Sequence, residues 1–381
     1  MSTTSPYPGV RRRRVTSPAA LVAILAAAAC GHSEPFAAGQ QTVDGPRSTQ
    51  FPRRLTYNVG DDRTPTWLPD GTGILYSSER EDRLDHDRCL TILPPEGGVI
   101  SRRICPTDPA QEDSTNLMEA PAVSPGGRLL YHQVVSWIGQ QKLGSSSLQL
   151  ASITHPWSST TLTPIPYTAP NGRIHSSIRL PAWLSETRAV YLAEMLFYEG
   201  STFYPDTFFT GLDIVSLDLS GATPVFSIVP GTDYASSVAV SGEPDVIYYT
   251  LGGDSRVYRR DLATGGVTQV YDFGPGNIAR DVAVNGTRLA AVVGRSVVWQ
   301  NEVAHGWVQR DEGGDLHIVN LTDSLTVTFS TDSVLFRHPT FSPDGRYLVV
   351  EVTPYAPAHT VPESDFNATN HRADLWLFEV R

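Results

Sequence analysis

The stretch that decides the fold is His338–Val350, HPTFSPDGRYLVV. It has the pattern of a strand, a tight turn and a second strand. Pro343 sets φ at the first turn position, Asp344 can bond to its own backbone, and Gly345 accepts the left-handed conformation that closes such a hairpin. The stretch therefore predicts a β-hairpin that begins with an apolar strand.

Five degenerate copies of this motif precede it in the chain. Each has an apolar strand end followed by a short turn sequence. The copies are TWLPDG at 66–71, AVSPGG at 122–127, AWLSET at 182–187, AVSGEP at 239–244 and AVNGTR at 283–288. The apolar residue that ends the first strand recurs at spacings of 56, 60, 57, 44 and 57 residues. A period of this size, with about four short strands in each unit, is typical of a β-propeller.

The repeats predict an all-β fold, a six-bladed β-propeller of four-stranded blades over residues 51–381. The sixth unit stops after its third strand, at 374–380, and a spare strand lies at 51–56. This spare strand precedes the first inner strand, as an outer strand does in the other units. We therefore expect it to pair with the C-terminal strand and close the ring, which would hide the free strand edges.

The repeat also carries a family resemblance. Its pattern is an apolar residue, Ser-Pro-Asp-Gly-Arg and three apolar residues, best matched at 341–349, and it resembles the WD40-like repeat of TolB-like six-bladed propellers. The segment 90–103, a strand, a Pro-Pro-Glu-Gly-Gly turn and a strand, is similar to it as well. The resemblance covers residues 51–381 and implies the fold, but it does not specify a function. Periplasmic TolB proteins carry an N-terminal α/β domain and bind a peptidoglycan-associated lipoprotein. Since only a short segment precedes the repeats here, that role is not carried over.

Residues 1–29 have the features of a bacterial lipoprotein signal peptide. Arg11–Arg14 form a basic segment, and an apolar segment too short to span a bilayer follows it. Small residues stand directly before Cys30, which resembles a lipobox whose cysteine is lipidated, although Ala27 stands where leucine is usual. The alternative is an ordinary signal peptidase site with an incidental cysteine. Residues 30–50 lack apolar periodicity and are interpreted as a flexible tether.

The charge of the chain disfavours several classes of partner. The full chain has a net charge of −11, and removal of the four arginines before Cys30 leaves 25 basic against 40 acidic residues, a net charge of −15. Nucleic acid binding requires a basic surface, and so does adhesion to anionic lipid. We expect a monomer that binds no nucleic acid and contacts the membrane only through its N-terminal lipid. It would be anchored to the bacterial cell envelope and face the periplasm or the cell surface.

No catalytic, cofactor or metal motif stands out. The chain has no Gly-x-Ser-x-Gly nucleophile elbow, His-Glu-x-x-His zinc motif, P-loop or Cys-x-x-Cys pair. We therefore expect no cofactor, no metal and no catalytic residue.

The long connections between strands are the strongest candidates for a binding face. They lie opposite the tight turns and occur at 77–88, 136–147, 197–211 and 353–373. Long loops on a rigid scaffold commonly carry binding residues. The candidate ligand residues on this face are Trp137, Phe203, Tyr204, Asp206, Tyr355 and His359. The alternative for the aromatics of 197–211 is an extended hairpin whose rings pack against each other and the neighbouring blade.

Two functions remain open. The first is a non-catalytic, lipid-anchored binding scaffold that holds an envelope protein or an envelope glycan on the long-loop face. The second is a metal-dependent hydrolase with a site at the channel mouth, as in six-bladed lactonases, where acidic and asparagine side chains hold a divalent cation. Since no matched ligand set is visible on the inner strands, we favour the first.

Cys89 and Cys105 are predicted to form a disulfide across the outer half of the first blade. A signal peptide implies export to an oxidising compartment, where two such cysteines can persist as a bridge. The turn between them is centred at Gly97, eight residues from each, so a regular antiparallel hairpin places them opposite each other. The alternative is two separately buried thiols.

Replacement of Cys30 by Ser should leave the precursor unprocessed, because lipidation requires the thiol of that residue. The measurement is labelling with a palmitate analogue together with the size of the product on a gel. Continued labelling of Cys30→Ser would contradict the lipoprotein assignment. A product of the variant that is cleaved but unlabelled would indicate the ordinary signal peptidase site instead.

Overall fold

In the computed structural model, every regular element of the described residues is a β-strand. None of these residues forms a helix with the length and hydrophobicity needed to cross a membrane. The residues that the structure describes are 51–58, 60–79, 87–106, 114–137, 145–165, 167–168, 174–199, 206–294, 298–301, 306–309, 313–330, 334–354 and 372–380. The described part of the chain is therefore all-β, as the repeats predict.

The strands are short, and they are numbered here in chain order. They are β1 (Arg53–Arg54), β2 (Asp62–Trp67), β3 (Ile74–Glu79), β4 (Asp87–Leu93), β5 (Arg102–Ile104), β6 (Ser114–Val123), β7 (Arg128–Trp137), β8 (Ser145–Ser152), β9 (His155–Ile165), β10 (Tyr167–Thr168), β11 (Ile174–Trp183), β12 (Arg188–Glu199), β13 (Asp206–Asp218), β14 (Val225–Ile228), β15 (Ala235–Ala239), β16 (Val246–Leu251), β17 (Arg256–Asp261), β18 (Val267–Asp272), β19 (Ile278–Asn285), β20 (Arg288–Gly294), β21 (Val298–Asn301), β22 (Gly306–Gln309), β23 (Asp315–Asn320), β24 (Thr326–Phe329), β25 (Val334–Phe341), β26 (Tyr347–Pro354) and β27 (Asp374–Glu379).

Consecutive antiparallel strands form the sheets. Four sheets of four or five strands stand apart, with the orders β10-β11-β12-β13-β14, β15-β16-β17-β18, β19-β20-β23-β24 and β25-β26-β27-β1. Each contains one strand that carries the repeated motif, here called the inner strand. The hairpin of β21 and β22 is separate. The arrangement is a β-propeller with four-stranded blades, which confirms that part of the prediction.

The first two repeats differ from the prediction, because they share one eight-stranded sheet. The runs β2-β3-β4-β5 and β6-β7-β8-β9 are joined where β4 and β6 pair in parallel, Asp87 with Asn116 and Arg88 with Leu117. The physical reason is that Arg88, near the start of β4, forms an ion pair with Glu119 of β6, 31 residues further along the chain. The described residues thus form four separate blades and this double sheet, rather than six separate blades.

The hairpin predicted at 338–350 is present between β25 and β26. The N–H of Gly345 donates to the carbonyl oxygen of Ser342 at 2.8 Å. Gly345 has a φ of 70°, the left-handed conformation that the turn requires. The hydroxyl of Ser342 donates to Asp344 at 2.6 Å, so the turn is also bonded through its side chains.

The first described strand pairs with the last. Arg53 lies opposite Leu377 in the register of β1 and β27, and the N–H of Leu55 donates to the carbonyl oxygen of Leu375 at 2.7 Å. Leu55 is buried in a cluster with Trp67 and Leu377. The strand pairing expected from the spare strand at 51–56 is therefore observed.

The core of the described residues consists of hydrophobic clusters between neighbouring repeats. Five clusters join repeats that are consecutive in the chain. A sixth joins the last repeat to the first, where Val349 and Leu377 pack with Trp67 and Tyr76. Burial of apolar side chains between neighbouring repeats therefore stabilises the arrangement.

The disulfide predicted between Cys89 and Cys105 is present. β4 and β5 are antiparallel with Leu90 opposite Ile104, and this register continues to the two cysteines. Their Cα atoms are 4.3 Å apart, and Cys89 is completely buried. The bridge ties the end of the outer strand β5 to the neighbouring strand β4 of the first repeat.

The double variant Cys89→Ser/Cys105→Ser of the segment 44–381 should have a free energy of unfolding about 3 kcal/mol lower than that of the wild type. The reason is that a cross-link closing a loop of this size lowers the entropy of the unfolded chain by a corresponding amount. Urea unfolding of both proteins measures the difference. The chemically reduced wild type is the matched control and should resemble the double variant. Titration of the denatured, unreduced wild type should find no free thiol, and two free thiols would contradict the bridge.

Candidate functional site

The six inner strands enclose a cavity of 420 Å³. Its lining residues come from β2, β6, β11, β15, β19 and β25 and from the turns that follow them. They fall within the segments 64–69, 120–125, 180–183, 237–242, 281–285 and 338–343. Because these segments are the aligned copies of the repeated motif, the cavity lies where the repeats converge.

The wall of this cavity is mostly apolar and rich in proline. The prolines are Pro65, Pro69, Pro121, Pro125, Pro181, Pro339 and Pro343, and the large aromatic residues are Trp67, Trp183 and Phe341. Among the lining residues, Asp281 and His338 carry titratable side chains. Such a wall offers apolar contact to a ligand, with few charged groups to orient it.

Four inner strands carry a residue in the left-handed conformation directly before a proline. These residues are Thr64 (φ 49°), Ala120 (φ 46°), Leu180 (φ 47°) and His338 (φ 46°). Each lies at a shift in the register of its strand pair. A proline excludes its predecessor from the right-handed helical region, and a bulge bends the strand. The bulges therefore turn the N–H groups of these residues away from their own ladders.

Three of these left-handed residues, and Val282 at a register shift in β19, bond to neighbouring repeats through their N–H groups. Each bond joins a backbone N–H of one inner strand to a side-chain oxygen of the adjacent repeat. The four bonds are Thr64 N–H to Glu351 Oε2 (3.1 Å), Ala120 N–H to Thr64 Oγ1 (3.2 Å), Val282 N–H to Ser237 Oγ (3.1 Å) and His338 N–H to Asp281 Oδ2 (3.1 Å). The cavity wall is thus bonded from repeat to repeat, in addition to the hydrophobic clusters behind it.

Glu351 connects the last repeat to the first. Its Oε2 atom accepts from the N–H of Thr64 and lies 2.8 Å from Nδ1 of His338, and the residue is only 1% exposed. Burial raises the pKa of Glu351, but the charge and hydrogen bond of His338, with the charges of Arg337 and Arg63, outweigh burial and lower the pKa to about 2. Glu351 is therefore an ionised carboxylate at neutral pH.

The two tryptophans of the wall are also bonded to the preceding repeat. The indole N–H of Trp67 donates to the carbonyl oxygen of Thr340 at 3.1 Å. The indole N–H of Trp183 donates to the carbonyl oxygen of Ala122 at the same distance, 3.1 Å. Both rings are buried, so their position is set by the scaffold.

Arg88 forms ion pairs with carboxylates from two repeats. It pairs with Glu119, with Glu79 at 3.0 Å and with Asp61 at 3.3 Å. Burial lowers the pKa of Arg88, and the attraction of the three carboxylates reverses this and raises it. Glu79 also pairs with Arg372, just before β27. This ion cluster links the first, second and last repeats.

The described residues offer no obvious catalytic centre. Among them, no group of three or more His, Cys, Asp or Glu side chains is arranged to hold a metal ion. The carboxylates in or beside the wall, Asp281 and Glu351, accept hydrogen bonds from backbone N–H groups of the next repeat. The arrangement that the structure describes is a cavity whose wall combines many apolar side chains with polar groups and is hydrogen-bonded between repeats.

Most of the predicted ligand face falls outside the described residues. Four of its six residues, Phe203, Tyr204, Tyr355 and His359, lie outside the described part of the chain, and so does Cys30, the predicted lipid attachment residue. Trp137 ends β7 and Asp206 begins β13, so these two lie at strand ends in different sheets. The grouping of the candidates on one face stays a prediction.

The predicted long connections are shorter than expected, because strands run into them. In the third repeat, β12 and β13 continue as a hairpin with Tyr198 opposite Thr207 and Glu199 opposite Asp206. The strand pairing matches the extended hairpin considered as the alternative for that segment, while the packing of its rings lies outside the described side chains. The connection between β20 and β23, which the sequence did not single out, contains the hairpin of β21 and β22.

Sequence reasoning missed the residues that build the wall. Thr64 is marked by the proline that follows it, and the same Xaa-Pro step recurs at three other aligned positions, so a signal was available. Glu351 carried no such signal, because its partner Thr64 is 287 residues away.

Comparisons with known proteins bear on the fold. No protein-family model and no curated protein matches the chain. A gluconolactonase from Xanthomonas campestris is 11% identical, with 86% of this chain and 88% of that chain covered and a TM-score of 0.51. A putative TolB from Agrobacterium tumefaciens is 14% identical (80% and 94% covered, TM-score 0.48). A chain of the nidogen–laminin complex is 10% identical (73% and 82% covered, TM-score 0.46). At this identity the similarity to the gluconolactonase shows the fold alone.

Acidification should weaken the folded state through Glu351. The folded pKa of about 2 lies below the ordinary value of 4.5, so the contribution of this group is complete above pH 4.5 and is lost as the pH falls toward 2. A difference of this size corresponds to about 3 kcal/mol. Glu351→Gln should flatten this part of the pH dependence, measured by urea unfolding between about pH 3 and pH 6. Glu96→Gln, the same change in an exposed turn, is the matched control. An unchanged pH dependence in Glu351→Gln would contradict the assignment.

Proposed function

We propose that this chain is a lipid-anchored, non-catalytic binding propeller of the bacterial cell envelope, which holds a protein or a glycan on its long-loop face. The observation that carries the proposal is the hydrogen bonding between neighbouring repeats. The inner strands are bonded from repeat to repeat at Thr64, Ala120, Val282 and His338. A stiff scaffold with long connections at one end of its strands suits binding through those connections.

We infer that the scaffold is a closed ring of six blades. Three observations support this inference. The hydrophobic clusters join every pair of neighbouring repeats, including the last and the first. Inner strands from six repeats line one cavity. β1 pairs with β27, so the sheet of the last repeat contains the first strand of the repeat region as well as its last. On this proposal the double sheet of β2–β9 is two blades that touch at Asp87 and Arg88.

The anchor and the location rest on the N-terminal sequence. Cys30 would be the lipidated N-terminus, and residues 31–50 would connect it to the propeller. A fully extended segment of that length reaches at most about 70 Å. The propeller could therefore contact partners at some distance from the membrane surface.

No contact among the described residues specifically favours the lactonase-like alternative. It requires acidic and asparagine side chains free to hold a divalent cation at the channel mouth. Asp281 and Glu351 are used as acceptors between repeats, and Asn285 donates to the carbonyl oxygen of Ser342 at 3.1 Å. This use of the polar groups in and beside the wall supports the binding function.

Tyr204→Ala/Tyr355→Ala should reduce capture of envelope partners by about tenfold or more, because exposed aromatic residues commonly dominate binding energy. The measurement is a quantitative pull-down from envelope extract with the soluble segment 44–381, with partner bands identified for the wild type. Trp157→Ala is the matched control, since Trp157 is 68% exposed on the outer strand β9. Equal capture by the double variant, at unchanged thermal stability, would contradict the proposal. Hydrolysis of a lactone by the purified protein with added divalent cation would favour the alternative.

A further inference from the structure

A buried carboxylate oxygen without a hydrogen-bond partner lies where the first described strand meets the last. Asp62, the first residue of β2, is 0% exposed. Its Oδ2 atom is buried and has no hydrogen-bond partner among the described residues. Its Oδ1 atom accepts from the amide nitrogen of Asn58 at 2.9 Å. An ionised carboxylate is costly to bury unless donors or a positive charge satisfy it. Asp62 Oδ2 therefore requires a partner.

Asn58 provides a second oxygen of the same kind. Its Oδ1 atom is also buried and unpartnered within the described part of the chain. The amide nitrogen of Asn58 lies 2.9 Å from Asp62 Oδ1 and 3.0 Å from Ser78 Oγ, so three oxygen-bearing side chains converge. The two ends of an amide are assigned from their hydrogen bonds. Turning the Asn58 amide over would place its oxygen between Asp62 and Ser78.

A second carboxylate stands beside this group, but it is already paired. The N–H of Asp62 donates to the carbonyl oxygen of Ala373 at 2.8 Å, which brings the start of β27 next to β2. Asp374 pairs with Arg54 at 2.6 Å and accepts from Thr56 at 3.4 Å. Among the described residues, no ion pair reaches Asp62. Arg54 thus pairs with Asp374, and it leaves Asp62 without a positively charged partner among the described residues.

We propose that this group of oxygens, the seam site, binds one calcium ion, with Asp62 as the charged ligand. Calcium takes about six to eight oxygen ligands from carboxylates, amide carbonyls and water, in flexible geometry. The seam site offers carboxylate, amide and hydroxyl oxygens, and it contains no imidazole or thiolate of the kind that zinc or copper prefers. Asp62 Oδ2 is the unpartnered oxygen, and the turned amide of Asn58 would add its oxygen between Asp62 and Ser78. Asp374 lies in the same group, and water would complete the shell.

The ion would join four segments at once. Asn58 follows β1, Asp62 begins β2, Ser78 lies in β3 and Asp374 begins β27. The proposal goes beyond the binding function, because it concerns what holds the first and last strands together. A proton could instead occupy Asp62 Oδ2, because burial, together with the charge of Asp374, raises the pKa of Asp62 to about 7. An ordered water alone would leave an ionised Asp62 uncompensated, whereas a proton would remove its charge and a cation would neutralise it. Calcium titration distinguishes the proton from the cation.

The test uses the full chain purified in detergent, stripped with EDTA, desalted and titrated with calcium chloride. Calorimetry should find one ion per chain. The melting temperature should rise by about 5 °C when free calcium reaches about one hundred times the dissociation constant. Asp62→Asn keeps the shape and removes the charge, so it should bind at least about 100-fold more weakly and lose the shift. Asn58→Ala removes one neutral ligand and should weaken binding by about tenfold. Asp344→Asn, an exposed turn aspartate, is the matched control and should behave as the wild type.

The possible failures are distinguishable. A wild-type chain that binds no stoichiometric calcium and shows no shift overturns the proposal, whatever the variants do, and assigns Asp62 Oδ2 to a proton or a water. An equal shift in Asp62→Asn also overturns it, because the ion would then lie elsewhere, for instance at the channel mouth. If Asp62→Asn does not fold, wild-type affinity retained in Asn58→Ala overturns the assignment to the seam site.

Discussion

The left-handed residues in the inner strands are the constraint on which the rest of the wall depends. A positive φ in a residue other than glycine costs of the order of 1–3 kcal/mol and persists only where its surroundings hold it. The N–H of Thr64 points away from its own strand pair and donates to Glu351. The N–H of His338 donates to Asp281 in the same way. At both positions the bulge is completed by the adjacent repeat. A repeat without its neighbour would leave a buried donor unsatisfied as well as an exposed apolar face.

The same dependence extends to the charged groups behind the wall. Arg88 is matched by Glu79 and Asp61 of its own repeat and by Glu119 of the next, and Glu79 is shared with Arg372. Removing one partner from such a cluster leaves an uncompensated buried charge, which costs more than the pair contributes. The ion pairs therefore favour one arrangement of neighbouring repeats over others, whereas the hydrophobic clusters provide most of the stabilisation. The parallel contact of β4 with β6 is a local result of this specificity.

Local features of the fold were predictable, and long-range ones were not. The hairpin at 338–350 follows from turn chemistry within a few residues, and the bridge of Cys89 and Cys105 follows from their equal distance to one turn. The sheet shared by the first two repeats could not be inferred, because it depends on which acidic residue Arg88 meets in space. The hydrogen bonds of the cavity wall could not be predicted for the same reason, because Glu351 accepts from Thr64, which lies near the opposite end of the sequence. The aromatic candidates of the long connections came from composition alone, and composition does not fix where side chains point.

A scaffold held in this way tolerates long connections at low cost. Doubling the length of a flexible loop adds only about 0.6 kcal/mol of closure entropy. The connection from β26 to β27 spans residues 355–373, yet the start of β27 is fixed by the pairs of Asp374 with Arg54 and of Arg372 with Glu79. The ion pairs of Asp374 and Arg372 therefore position β27, and the length of the preceding connection does not. The length and sequence of these connections can therefore vary, while the ion pairs and the cavity wall keep the strands that flank them in place.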